Sequence, residues 1–383
     1  MSVTAAKGFQ AAGIAAGIKE SGNADLALVV NRGPRQAAAG VFTSNRVKAA
    51  PVLWSEQVLK GGLVSAVVLN SGGANACTGP KGFQDAHATA EKVAEVLDLS
   101  AGEVAVASTG LIGVLLPMDK LLPGVETAAA QLSDHGGEKA AIAIKTTDTV
   151  HKTAVYEGDG WTVGGMAKGA GMLAPGLATM LVVLTTDADL DSDVLDKALR
   201  DATRVTFDRV DSDGCMSTND TVLLLASGAS QVTPEYAEFA NAVRVVCDDL
   251  GRQLIGDAEG ASKDIKVEVV NAETEADAVE VGRSIARNNL LKCALHGEDP
   301  NWGRVLSAIG TTSAAFEPDR LNVAINGVWV CKNGGVGEDR DKVDMRYREV
   351  HIVADLAAGA ETATIWTNDL TADYVHENSA YSS

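Results

Sequence analysis

Residues Gly164–Leu181 read GGMAKGAGMLAPGLATML and form the most distinctive stretch of the chain. Glycines and alanines surround a single lysine, Lys168, and lead to Thr179 at the start of an apolar run. This pattern predicts a loop followed by a buried strand. A hydroxyl at such a junction can attack the preceding carbonyl, here that of Ala178, and the freed amine can then act as the base for that hydroxyl. From composition and spacing alone, an ordinary β-branched strand residue is the favoured interpretation of Thr179.

The same stretch lacks the pattern of a nucleotide-binding loop. The GxxxxGK spacing followed by Ser or Thr is absent. The predicted element after the glycines is a strand, whereas phosphate-binding loops lead into a helix N-terminus. Nucleotide binding at this segment is therefore not expected.

Elsewhere, short apolar runs predict buried strands and longer amphipathic stretches predict helices. The predicted strands are 26–30, 64–69, 104–107, 180–184, 222–225, 265–270 and 363–366. The predicted helices are 86–97, 192–205, 234–255 and 274–288, with Ser192 and Thr274 as expected caps. Because strands and helices occur in blocks without regular βαβ alternation, an α+β layered architecture is expected.

Composition and charge narrow the range of partners. The 383 residues include 32 basic and 51 acidic side chains, which gives a net charge of −19. Such a charge repels nucleic-acid phosphates and anionic lipids, so neither nucleic acid nor a membrane is expected as a partner. With 46% hydrophobic residues, the chain can bury a sizeable core.

The five cysteines are scattered without a CxxC pair, so neither a zinc site nor a disulfide framework is indicated. Reduced core thiols are typical of a cytoplasmic protein. No apolar run reaches the roughly 18 residues that a membrane span requires. No signal peptide is expected, because Gln10, Gly13 and Gly17 interrupt the mildly apolar N-terminal stretch.

Distinctive motifs occur in order along almost the whole chain. They are Ala6–Gly13, Asn70–Gly79, Ser108–Gly113, Thr146–Thr149, Ser217–Thr221, Gly256–Ala261, Asp299–Arg304 and Tyr374–Ser383. Together with Lys168–Met172 and the following Ala174–Leu181, these motifs closely resemble the ornithine acetyltransferase family, also called glutamate N-acetyltransferases. The match around Thr179 is to the self-cleavage segment of that family.

The resemblance implies a fold and a maturation step. The fold is an α+β, αββα-type layered fold of the ornithine acetyltransferase kind, with a threonine nucleophile. The chain is expected to cleave itself between Ala178 and Thr179 into an α piece, 1–178, and a β piece, 179–383. The two pieces are expected to stay associated, as two α and two β pieces.

The resemblance also implies a reaction, acetyl transfer in arginine biosynthesis. N2-acetylornithine acetylates Thr179 and leaves as ornithine, and glutamate then takes the acetyl group to give N-acetylglutamate. In bifunctional members of the family, acetyl-CoA is an alternative donor. No metal and no tightly held cofactor is implied.

Further site residues are implied by position. Thr109 and Gly110 match the family's oxyanion hole, where a hydroxyl and a backbone N–H stabilise a tetrahedral intermediate. Lys168 and Glu259 match substrate-binding positions and supply the two signs of charge that an amino acid requires. The remaining implied substrate contacts are Thr147 (or its neighbour Thr146), Thr179, Asn378 and Ser383.

Two other functions compete with this assignment. A self-cleaved aminopeptidase or amidase of related fold would pass the acyl group to water. A non-catalytic amino-acid-binding protein would remain uncleaved. Cleavage of the purified chain, and the fate of the acyl group, distinguish the three.

Overall fold

Runs of small and β-branched residues form the strands of this protein, as a computed structural model shows for residues 2–174 and 180–380, which it describes. The chain folds as two units. Of the described residues, the first comprises those up to Asp208 together with Cys215–Asp257, and the second comprises Arg209–Gly214 together with residues 258–380. In the described residues, no helix is both long enough and apolar enough to cross a membrane.

The first unit contains two sheets and six helices among its described residues. Its strands are β1 (Phe9–Ile14), β2 (Leu26–Asn31), β3 (Ala37–Phe42), β4 (Ala66–Asn70), β5 (Val104–Ser108), β6 (Lys152–Glu157), β7 (Thr162–Lys168), β8 (Leu181–Thr186) and β9 (Thr221–Ala226). Its helices are α1 (Ala50–Leu59), α2 (Gly79–Leu97), α3 (Met118–Ala130), α4 (Gly137–Ala143), α5 (Ser192–Val205) and α6 (Tyr236–Gly256).

The two sheets of the first unit pack face to face. One has the strand order β1-β2-β4-β5 and the other the order β3-β9-β8-β7-β6. Their facing residues form one buried core, which includes Val29, Val67, Leu69, Met166, Val183 and Leu223. Helices α2 and α3 cover the outer face of the first sheet, and α5 and α6 pack against the second. The first unit therefore has the αββα layers and the α+β class expected from the sequence.

The glycines of β7 correct one prediction. The sequence indicated a loop from Gly164 onward, but Gly164–Lys168 is hydrogen-bonded strand, paired with both β6 and β8. At Gly165 an added Cβ would lie 2.8 Å from Leu184 Cδ2 and 3.1 Å from Leu250 Cδ1 of α6. The glycine therefore leaves room for the side chains of Leu184 and Leu250, which pack between the sheet and α6.

The second unit contains one sheet. Its strands are β10 (Asp264–Ala272), β11 (Asn322–Ile325), β12 (Val328–Lys332), β13 (Gly335–Val336), β14 (Glu349–Asp355) and β15 (Glu361–Asn368), in the order β13-β12-β11-β14-β10-β15. Its helices are α7 (Glu275–Ala286), α8 (Asn289–His296), α9 (Trp302–Ile309) and α10 (Ala372–Ala380). Helices α7 and α9 pack on the sheet over a buried aliphatic core.

The predicted helix over 192–205 matches α5 at both ends, although Asp191 rather than Ser192 is its N-cap residue. Thr274 caps α7 as predicted, because its side chain accepts a hydrogen bond from the Asp277 N–H. Each predicted strand overlaps an observed one. The Ala-rich strands β1 and β3 were missed, because alanine favours helix and is depleted in strands.

We expect Ser55→Ala to destabilise the first unit. The Ser55 hydroxyl of α1 donates to the Val106 carbonyl at 2.7 Å and accepts from the Val106 N–H at 2.8 Å, on the edge strand β5. Alanine leaves both buried backbone groups without a partner, so the free energy of unfolding should fall by about 1–3 kcal/mol. Urea denaturation measures this, and the exposed Ser21→Ala is the matched control, with an expected change within about 0.5 kcal/mol.

Candidate functional site

The predicted nucleophile and cleavage junction, Ala178 and Thr179, lie outside the described residues, and so does Ser383. The other predicted site residues are all described. Thr109, Gly110, Thr147 and Lys168 belong to the first unit, and Glu259 and Asn378 belong to the second.

The Thr109–Gly110 turn follows directly from the end of β5. The Thr109 N–H donates to the Asn70 carbonyl at 2.9 Å, and the Thr109 carbonyl accepts from the Gly73 N–H at 3.0 Å. Gly110 has φ +131°, and an added Cβ would lie 2.7 Å from the Gly73 nitrogen, so only glycine fits this position. Among the described residues, no group accepts a hydrogen bond from the Gly110 N–H. The turn therefore offers a rigidly held backbone donor, as an oxyanion hole requires.

Asn219 ties a second motif to this turn. Its side-chain amide donates to the Ser108 carbonyl at 2.8 Å and to the Ala74 carbonyl at 2.6 Å. Asn219 is buried and belongs to the matching motif Ser217–Thr221, to which the sequence analysis assigned no role. Its function is to hold the turn in position.

Lys168 brings a buried positive charge to the same turn. It is the last residue of β7 and is 1% exposed, so it does not lie in an open glycine loop as the sequence suggested. Its Nζ lies 3.5 Å from Thr109 Oγ1. An ammonium group beside the Thr109 hydroxyl favours negative charge developing at this point, because charges interact strongly where water is excluded.

Asp148 is the carboxylate that pairs with Lys168, and it was not predicted from the sequence. Its Oδ2 lies 3.9 Å from Lys168 Nζ. Its Oδ1 accepts hydrogen bonds from Lys152 Nζ at 2.7 Å and from the Gly169 N–H at 2.6 Å. Burial opposes ionisation, but the charges of Lys168 and Lys152 hold the pKa of Asp148 well below its usual range. Asp148 is therefore a buried carboxylate that bridges two buried lysines.

The Thr146–Thr149 motif is the turn that presents Asp148. The Thr146 N–H donates to Asp148 Oδ2 at 3.0 Å, and Thr147 is half-buried next to it. Asp257, at the end of α6, accepts from the Thr149 N–H at 3.1 Å and from Lys152 Nζ at 2.6 Å. The sequence signal for this arrangement was an aspartate between threonines, a residue type that commonly accepts local backbone hydrogen bonds.

Asp220 fixes the backbone that enters β8. Its Oδ1 accepts the Met180 N–H at 3.1 Å, and its Oδ2 has no hydrogen-bond partner among the described residues. Complete burial raises the pKa of Asp220 well above its usual range, against the opposing effects of the Met180 N–H and the charge of Lys168. The first described residue after Thr179 is thus held by a buried carboxyl group.

In the second unit, Glu259 and Asn378 meet as a pair. Asn378 Nδ2, on α10, donates to Glu259 Oε2 at 3.0 Å. Gly260 follows with φ +61°, and an added Cβ there would lie 2.2 Å from the Tyr374 nitrogen. The Thr371 hydroxyl, just before α10, donates to the Gly260 carbonyl at 2.6 Å. Backbone packing therefore places the Glu259 carboxylate against α10.

In the part of the chain that the structure describes, no cluster of three or more His, Cys, Asp or Glu side chains could hold a metal ion.

Comparisons with known proteins give the following relationships. A family model described as the ArgJ family matches residues 10–383. Proteins named arginine biosynthesis bifunctional protein ArgJ, from Streptomyces avermitilis and Streptomyces coelicolor, are 89% and 87% identical to this chain over 383 residues, with 100% of both chains covered. A solved ornithine acetyltransferase complexed with ornithine, from Mycobacterium tuberculosis, is 61% identical over 47% of this chain and 96% of that chain, with a TM-score of 0.45.

We expect Asp148→Asn to destabilise the first unit strongly. The variant removes the buried carboxylate that Lys152 and Lys168 share, while Lys152 keeps its ion pair with Asp257. Because breaking a buried ion pair is costly, the free energy of unfolding should fall by about 3–5 kcal/mol. Urea denaturation at pH 7 measures the loss. Asp196→Asn is the control, because Asp196 forms an exposed pair with Arg200 that contributes about 0–1 kcal/mol.

The difference in the free energy of unfolding between wild type and Asp148→Asn should become smaller as the pH falls. The folded-state pKa of Asp148 is depressed, so its contribution is present above its unfolded pKa of about 3.9 and is lost as the pH falls through the folded value. The gap between wild type and Asp148→Asn should therefore narrow below pH 4. A gap that stays constant on acidification would show that Asp148 contributes by packing rather than by charge.

Proposed function

The chain belongs to the ArgJ family, and from this membership we propose that it transfers the acetyl group of N2-acetylornithine to glutamate through an acetyl-Thr179 intermediate. The family, the enzyme class and the role in arginine biosynthesis predicted from the sequence are confirmed. The bifunctional name of the relatives supports acetyl-CoA as a second acetyl donor for this chain as well.

One observation carries the proposed chemistry. The Gly110 N–H, which has no acceptor in the part of the chain that the structure describes, and the Thr109 hydroxyl lie on one rigid turn. The buried Lys168 ammonium lies 3.5 Å from Thr109 Oγ1. Acetyl transfer proceeds through tetrahedral intermediates, whose oxyanion needs donors fixed in advance. In our proposal Thr109 and Gly110 are these donors, and Lys168 stabilises the same negative charge or the substrate carboxylate next to it.

In our proposal Thr179 attacks the Ala178 carbonyl during maturation and the acetyl donor afterwards. The new N-terminal amine serves as the general base for the hydroxyl. The Met180 N–H held by Asp220 supports this role, because it fixes the backbone immediately after the nucleophile. Thr147, Glu259, Asn378 and Ser383 complete the proposed amino-acid site.

The strand order supports lasting association of the pieces 1–178 and 179–383. Strands β8 and β9 belong to the second piece, and they lie between β3 and β7 of the first piece in one hydrogen-bonded sheet. Dissociation would break two ladders and open the core. We propose that two copies of each piece assemble and that the protein is cytoplasmic.

A self-cleaved hydrolase is the competing function. It would use the same oxyanion hole and nucleophile but would release acetate, so the destination of the acetyl group decides between the two.

The maturation proposal predicts two pieces without added protease. Wild-type protein should give two bands on a denaturing gel. N-terminal sequencing of the β piece should give Thr179 as its first residue. Thr179→Ala should stay intact and inactive, while Thr179→Ser should retain some cleavage because it keeps a hydroxyl group. A single band for wild type, or a β piece that starts elsewhere, would remove Thr179 as the nucleophile.

The covalent mechanism predicts parallel initial-rate plots when acetylornithine is varied at several glutamate concentrations. Mass spectrometry after mixing with acetylornithine alone should show one acetyl group on the β piece. Adding glutamate should remove that group as N-acetylglutamate. Intersecting plots would indicate a ternary complex, and free acetate as the main product would indicate a hydrolase.

A further inference from the structure

A pocket of about 280 Å³ within the second unit contains charges of both signs. Three carboxylates line it, those of Asp213, Glu259 and Asp369, together with the cations Arg287 and Lys292 and the ring of Tyr374. Its volume lies just below the usual range for ligand sites, about 300–1,000 Å³, which suits one end of an amino acid.

This inference rests on the proposed reaction, in which one pocket has to bind the side chains of two substrates that carry opposite charges. In N2-acetylornithine the α-nitrogen is acylated and neutral, so the ammonium group lies at the end of the side chain. Glutamate must place its α-amine where that α-nitrogen was, and it then carries a carboxylate at the end of its side chain. The same side-chain subsite must therefore accept a cation in one half-reaction and an anion in the other.

A subsite with one sign of charge would favour one substrate and repel the other, because like charges at close range are strongly unfavourable in a partly buried site. Glu259 suits the ornithine ammonium. Its carboxylate is oriented by Asn378, which donates to Oε2 at 3.0 Å. Glutamate then needs a cation lining the same pocket.

Arg287 is the better placed of the two cations. Its Nε donates to Asp211 Oδ2 at 2.7 Å, and Asp211 is fully buried, so the guanidinium is anchored on one side. Among the described residues, no group accepts a hydrogen bond from its terminal nitrogens, and its side chain is 48% exposed. A guanidinium held by Nε presents its remaining donors as a fork that matches a carboxylate.

The second cation, Lys292, uses its ammonium group for hydrogen bonds within the protein. It is buried, and its Nζ donates to the Ser212 carbonyl and, at 3.2 Å, to Thr367 Oγ1. Burial lowers the pKa of Lys292 to about 8, which leaves it mainly charged at neutral pH. Its charge adds to the positive potential of the pocket, but its hydrogen bonds belong to the protein.

We propose that Arg287 binds the side-chain carboxylate of glutamate, while Glu259, which lines the same pocket, binds the side-chain ammonium of acetylornithine. Arg287 is thus a specificity-determining residue of the second half-reaction. It selects an anionic acceptor without contributing to acetylation of the enzyme.

The test compares acceptors in wild type and Arg287→Gln. One assay measures acetyl transfer from acetylornithine to glutamate, a second uses glutamine as the acceptor, and a third measures exchange with labelled ornithine. In Arg287→Gln, kcat/KM for glutamate should fall about 10- to 100-fold, as expected for the loss of hydrogen bonds to a charged group. Ornithine exchange should change less than about threefold, and the preference for glutamate over glutamine should collapse.

That preference is a ratio measured on one preparation, so it does not depend on how much of the variant is correctly folded. Arg287→Lys keeps the charge but loses the fork, and its ratio should lie between those of wild type and Arg287→Gln. The matched control is Arg348→Gln. Arg348 lies in the same unit, is 42% exposed and donates Nε to Asp264 at 2.9 Å, but it does not line the pocket. Its three assays should match wild type.

An unchanged ratio of glutamate to glutamine in Arg287→Gln would overturn the proposal, whether overall activity falls or not. An equal loss of glutamate transfer and ornithine exchange would also overturn it, because it would show a general structural role. Wild-type enzyme that fails to transfer acetyl from acetylornithine to glutamate would instead refute the proposed function itself.

Discussion

The buried carboxylate of Asp148 is the constraint on which the first unit's site depends. Two lysines with almost no exposure end β7 and begin β6, and neither could remain charged there without an anion. Asp148 contacts both of them and also accepts the Gly169 N–H at the point where β7 ends. Together with Asp257, which also contacts Lys152 Nζ at 2.6 Å, Asp148 keeps these lysines charged. Asp148 also fixes the end of β7, where the segment that leads to Thr179 begins.

The second requirement of the structure is that neighbouring elements approach one another closely at glycine residues. Gly110 meets the backbone of Gly73, Gly260 meets that of Tyr374, and Gly165 allows α6 to approach the sheet. Side chains at these positions would separate the elements that carry the donors and charges. The low aromatic content of 4% and the 39 glycines are consistent with a protein whose layers are brought together by small residues.

Sequence patterns predicted those elements whose periodicity is set by burial alone. Helix α5 buries residues at helical spacing and strand β2 is buried along its whole length, and both were predicted at nearly their observed bounds. Strand β7 was missed because its glycines serve packing rather than a turn, and β1 and β3 were missed because alanine gives no strand signal. The family resemblance predicted Thr109, Gly110, Lys168 and Glu259 as site residues, but it did not point to Asp148, Asp220 or Arg287. These residues matter because they are buried or contact residues that are distant in the sequence. Neither property can be recognised from the neighbouring sequence.

The interleaving of strands across residue 178 also has a consequence for how the molecule can be made. While the chain is continuous, β7 and β8 meet by closing a short connection, a unimolecular event with a small entropy cost. After a cut between them, the same sheet could re-form only if two separate polypeptides collided, so refolding would become second order and would depend on concentration. For the cleavage that we propose between Ala178 and Thr179, assembly would therefore come before the cut, and pieces that had separated could not refold in a unimolecular step. The lifetime of the cleaved protein would then depend on its unfolding rate rather than on its equilibrium free energy of unfolding.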